Sequence, residues 1–147
     1  MKSGKVRPEA ITFEHLAIDI LAGRGRDPFT VMRMTVPPDA GVPSHQSPDE
    51  DKLFVVIEGS LRFHVGDEFF DVGAGEQIAV GKGDTHGFVN VTRMPARHLI
   101  ITSPARHDEL LTALSELPDP HAPGAMDEIC RVYNQKVVGE PRRGPGA

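Results

Sequence analysis

The residues best suited to chemistry fall in two stretches. One is GVPSHQSPDEDKLFVVIEG, from Gly41 to Gly59, which carries His45, Ser47 and Lys52 ahead of an apolar run. The other is GEQIAVGKGDTHGFVN, from Gly75 to Asn90, which carries His86. Its glycines suit a strand, a tight turn and a returning strand, so the turn delivers His86 at the start of the return. A neutral imidazole there can bind a metal or move a proton. The other histidines offer less. His64 sits on the polar parity of its strand and reads as a surface residue. His98, in RHLII, has ambiguous parity and could enter the interior. His15 precedes a strand, and His107 and His121 lie in the C-terminal part with no site role. The single Cys130 excludes an internal disulfide and fits a reducing, cytoplasmic setting. It shares a helical face with Met126, Ile129, Tyr133 and Val137, so it reads as core rather than nucleophile.

The elements that must hold these residues read as β from Ile11 to Ser103. LAIDILAG, FTVMRMTV, LFVVIEG, SLRFHVGDEFF, EQIAVGKGD, HGFVNVT and ARHLIITS are short runs broken by Gly and Pro. Such spacing suggests a sandwich or jelly-roll barrel. LFVVIEG is nearly continuously apolar, as in a strand covered on both faces. After Ser103 the period changes. Ser103 is expected as a helix N-cap with Pro104 at the first helical position, and Leu110, Leu111, Leu114 and Leu117 line one face. A second helix is expected over AMDEICRVYNQKVVG. The organisation is therefore a polar, loosely held 1–10, a barrel over 11–103, a helical extension over 104–139 and a frayed tail over 140–147.

The second stretch resembles the second motif of the cupin superfamily. Gly75, Gly83, His86 and Asn90 match in identity and spacing, with Gly81 in place of the motif's proline. The first motif expects two histidines one residue apart, then a glutamate, then a glycine seven residues on. Anchored on Gly59, those positions fall on His45, Ser47 and Lys52. The flanks and the TSPA ending followed by helices are similar to single-domain flavonol (quercetin) dioxygenase-like cupins. The resemblance implies an all-β double-stranded β-helix, a jelly-roll barrel with two short C-terminal helices, paired as a homodimer through barrel edge strands.

The resemblance also implies a metal held by three histidines and a glutamate. Of these only His45 and His86 remain. Catalytic sites usually keep three protein ligands, so two imidazoles hold Zn, Ni, Mn or Fe weakly. Asp51 or His98 are the candidates for a third ligand, Asp51 only if a bulge reverses its side chain. Otherwise SPDEDK, with Asp49, Glu50 and Asp51, is a solvated loop. The alternative is no cofactor, with Lys52 in the cation's place. Pointing inward, it could pair with a carboxylate or enolate on a ligand and, its pKa lowered by burial, act with His86 as an acid/base or form an imine. Pointing outward, it would snorkel and do nothing. The expected pocket is His45, Ser47, Lys52, Phe54, Phe63, His86, Phe88 and His98.

Composition narrows the classes of function. The chain has 147 residues, a formal net charge of -5 and no Lys/Arg cluster that would make a nucleic-acid face. No apolar run reaches the ~18 residues of a membrane span. The expected function is binding of a small molecule at a degraded metal site. The alternatives are a metal-dependent dioxygenase, isomerase or lyase acting on a small polar or aromatic compound, and a non-catalytic structural dimer. Whether the chain is an enzyme stays open at this point.

Overall fold

A computed structural model describes residues 1–146. Eleven strands and two helices are assigned in it: β1 Glu9–Phe13, β2 Leu16–Ala22, β3 Thr30–Val36, β4 Gly41–Gln46, β5 Asp51–Glu58, β6 Ser60–Val65, β7 Glu68–Gly73, β8 Gln77–Val80, β9 His86–Val89, β10 Ala96–Ser103, α1 His107–Ser115, α2 Ala125–Val132 and β11 Lys136–Gly139. They form two antiparallel sheets, ordered β1-β2-β3-β10-β5-β8 and β11-β4-β9-β6-β7. This is the double-stranded β-helix that the strand spacing and motifs imply.

Alternation along each strand builds the core between the sheets. Thr30, Met32, Met34 and Val36 of β3 are buried while Val31, Arg33 and Thr35 are not. The same period turns Lys52, Phe54 and Val56 of β5 inward. It turns Leu53 and Ile57 outward, where they are 37% and 44% exposed. The apolar run LFVVIEG is therefore covered on one face only, contrary to its reading as a doubly covered strand; β-branched residues suit a strand on either face. Gly59 makes the turn into β6 with φ +74, and a side chain there would come within 2.7 Å of the Pro95 carbonyl. That close approach fixes the register that puts Lys52, not Asp51, on the inner face.

The C-terminal part departs from expectation in three places. The first helix begins at His107 with Arg106 as its N-cap, not at Ser103-Pro104, because Ser103 is the last residue of β10. The second helix ends at Val132. Asn134, with φ +50, reverses the chain into β11, which pairs with β4. Val137 is thus a strand residue opposite His45, not part of a helical face. Finally, the tail as far as residue 146 is docked rather than frayed. The Arg62 guanidinium donates to the carbonyls of Arg143 and Pro145, and Arg142 donates to the Gly66 carbonyl while its guanidinium lies 5.1 Å from the Phe69 ring centre. Cys130 is buried, and burial pushes its thiol pKa up, as suits a core residue. Among the described residues no helix is long and apolar enough to cross a membrane.

Candidate functional site

The site is built across the two sheets. His45 on β4 and His86 on β9 are cross-strand partners in one sheet, with ring centres 4.2 Å apart. Lys52 comes from β5 in the other sheet and crosses the interior. Its Nζ lies 3.3 Å from His45 Nε2 and 3.1 Å from His86 Nε2. Each imidazole is held from behind: His45 Nδ1 is 2.8 Å from the Pro43 carbonyl and His86 Nδ1 is 2.7 Å from the Asp84 carbonyl. A carbonyl only accepts, so both Nδ1 atoms carry the proton and both Nε2 lone pairs face the ammonium.

Burial governs the electrostatics. Lys52 is 3% exposed and His86 is also buried. Desolvation lowers the Lys52 pKa to about 8, partly opposed by the Glu50 carboxylate. Burial, followed by the Lys52 charge, lowers His86 to about 3 and His45 well below its usual value. Near neutral pH the site is therefore one ammonium shared by two neutral imidazoles.

The charge is balanced by residues that the sequence reading set aside. Glu50 is buried, not solvated. Its Oε1 accepts from Gln135 Nε2 at 2.8 Å, and its Oε2 lies 3.2 Å from His107 Nδ1. Burial opposes ionisation of Glu50, but His107, Lys52 and Gln135 outweigh it and hold the carboxyl below its usual range. Ser47 is buried and donates to Gln135 Oε1. Gln135 thus latches the loop before Lys52 to the turn before β11. His107, expected to have no site role, is buried against Glu50, and burial lowers its pKa. A signal for it was present: His107, Leu110, Leu111 and Leu114 stand at the spacing of one helical face. No comparable signal marks Gln135.

The remaining candidates separate into two groups. Phe54, Phe63, Phe88 and His98 form an aromatic cluster, with ring-centre distances of 5.0 Å for Phe54–Phe63, 5.4 Å for Phe63–Phe88 and 5.0 Å for Phe88–His98. His98 packs there instead of beside His45 and His86, and burial lowers its pKa to about 4. Asp51 is exposed, and its carboxylate accepts from the Lys82 backbone N–H. Neither is placed as a third metal ligand, because β5 parity turns Asp51 outward and the Phe54 ring contacts His98. His64 does face away from the core, but it is buried beside Phe69 rather than exposed.

The donor set does not fit a divalent ion. Among the described residues no group of three His, Cys, Asp or Glu side chains is arranged to hold one. The two converging lone pairs already accept from Lys52, whose positive charge repels a dication.

Comparison with known proteins agrees with the fold. Residues 32–102 match the family described as a cupin domain. No curated protein matches the chain in sequence. Among solved structures, KdgF from a Halomonas species superposes with a TM-score of 0.62 at 18% identity, over 69% of this chain and 90% of that one. The polyketide cyclase RemF from Streptomyces resistomycificus gives 0.57 at 25% identity, over 69% and 78%. The cupin domain of Schizosaccharomyces pombe Cnp3 gives 0.58 at 15% identity, over 74% of each chain. The matched segment, the two-sheet topology and these neighbours agree on one fold, the cupin-type double-stranded β-helix.

Proposed function

We propose that this cupin binds a small molecule without a metal, and that the Lys52 ammonium stands in the cation's place. The observation that carries this is the convergence of His45 Nε2 and His86 Nε2 on Lys52 Nζ. Two of the three ammonium protons are directed to the imidazoles. The third is available to an oxygen of a ligand, either carboxylate, enolate or carbonyl. A charged donor in a dry interior binds such an oxygen strongly, because burial removes competing water. The Phe54 ring, 6.3 Å from that of His86, favours an aromatic or apolar ligand body.

The test has two arms. Protein purified without a tag or chelator is analysed for metal by mass spectrometry, and benzoate is titrated while thermal unfolding is followed. The expected result is sub-stoichiometric metal and a benzoate-dependent rise in Tm that Lys52→Met abolishes. Near-stoichiometric Zn, Ni, Mn or Fe refutes the reading.

A second reading, an enzyme acting on a polyketide-like aromatic compound, is favoured by the 25% identity to the cyclase RemF. In that case Lys52 and His86 would serve as acid and base. Turnover of an aromatic polyketide analogue that is lost in Lys52→Met would establish it.

A further inference from the structure

We infer that Lys52 is a nucleophile that forms an imine with a small apolar or aromatic aldehyde or ketone. This rests on the small-molecule reading above and names the chemical class of its ligand.

Three observations point to it. First, Nζ has two proton acceptors at hydrogen-bond distance, and both are neutral imidazoles whose tautomer is fixed by the Pro43 and Asp84 carbonyls. Second, among the described residues no carboxylate oxygen lies within 4.0 Å of Nζ. A buried lysine is usually held as an ion pair, which keeps its proton in place. Here the nearby carboxylate, Glu50, is instead tied to His107 and Gln135. Third, Thr102 faces Lys52 across the β5–β10 ladder, is fully buried, and its hydroxyl has no partner. A buried, unpaired hydroxyl on the strand position opposite Lys52 is an uncompensated cost unless something else uses it. An oxygen of a bound carbonyl compound would do so.

The step balances without an oxidant or reductant. Lys52 loses a proton to water, and the neutral amine attacks the carbonyl carbon. The new C–N bond forms as the C=O π pair moves to oxygen, and two protons then move from nitrogen to that oxygen. Water leaves, and the nitrogen lone pair closes the C=N bond. The sum is amine plus carbonyl giving imine plus water. The surrounding apolar side chains oppose the reverse hydration by limiting water.

The experiment treats the full chain with benzaldehyde and sodium cyanoborohydride, then maps lysines by peptide mass spectrometry. An imine is trapped as a benzyl amine, a gain of about 90 Da. The expected result is labelling of Lys52 at least about tenfold faster than of exposed Lys82 and Lys136, since a buried amine with no carboxylate partner sheds its proton more readily than hydrated ammonium groups. Gln135→Ala, which removes the latch to Ser47 and Glu50, should speed it further. Labelling of Lys82 and Lys136 but not Lys52, in both the wild type and Gln135→Ala, overturns the proposal. If Lys52 stays unlabelled while benzoate still raises Tm in a Lys52-dependent way, the imine fails and the small-molecule reading stands. Stoichiometric metal with no label at Lys52 overturns both.

Discussion

Replacing Lys52 with Met removes a buried charge whose energy can be read through pH. The pKa falls from a usual 10.5 to about 8 on folding. At about 1.4 kcal/mol per unit, burying the ammonium costs about 3 kcal/mol relative to the neutral amine. Below pH 8 Lys52 is protonated in both states and the whole cost is present. Between about 8 and 10.5 the unfolded chain holds the proton that the folded chain has lost, so stability rises with pH across that window. The other lysines titrate alike in wild type and Lys52→Met and cancel in the difference between them. That difference should be flat from pH 6 to 7 and then move in favour of the wild type by about 1 kcal/mol at pH 9. Urea unfolding of both proteins across this range measures it, provided the m-values agree. A difference that stays flat through pH 9 would mean that Lys52 is solvated, and the site geometry argued from its burial would be wrong.

Four further outcomes are expected. Ser47→His combined with Lys52→Glu replaces the ammonium by a carboxylate and adds an imidazole, and should bind near-stoichiometric Zn or Ni by mass spectrometry; a folded double variant that takes up no metal would show that these two positions do not share a cavity. Gln135→Ala strands the Ser47 hydroxyl and one Glu50 oxygen and should cost about 2 kcal/mol in urea unfolding. His107→Leu removes the partner that holds the Glu50 carboxyl below its usual range. The stability that Glu50 contributes is lost as pH falls through its folded pKa, so acid unfolding should move to higher pH in this variant. Arg62→Ala should accelerate hydrogen exchange of the 142–146 amides with little change in global stability, since its contacts to the tail are solvent-exposed.

The fold was legible because its signals are local and redundant. Strand alternation, glycine turns and the Gly75–Asn90 spacing each point to the same barrel. The inner face of β5 was legible for the same reason: Gly59 fixes the register, and period two does the rest. What escaped was long-range. Glu50 lies in an acidic, turn-rich run that looks solvated by every local criterion. Its burial depends on His107 and Gln135, more than fifty residues away in chain order. The strand β11 escaped because its four residues are exposed and carry no alternation; it exists because β4 offers an unpaired edge. The docked tail escaped because the glycines and prolines of its sequence suit a free end as well as an extended segment pinned by Arg62.

The changes at the first motif are easier to understand as one exchange than as two losses. A cupin metal site balances a dication with a carboxylate and neutral imidazoles. On the reading proposed above, the Lys52 ammonium takes the dication's place, with His45 and His86 as its acceptors. The carboxylate has not vanished from the neighbourhood. It stands two residues earlier, at Glu50, where it still opposes the fall in the Lys52 pKa. A third imidazole is supplied by α1 through His107, but it binds the carboxylate rather than the cation. This arrangement has a consequence that drift alone does not explain. A lysine buried by chance among apolar side chains tends to find a carboxylate or to reach water. Lys52 does neither, and is held by two lone pairs whose tautomers are set by separate backbone carbonyls. Holding an ammonium this way leaves it charged near neutral pH and close to losing its proton. A purely structural role would not need that state, whereas binding or attacking a carbonyl compound would use it.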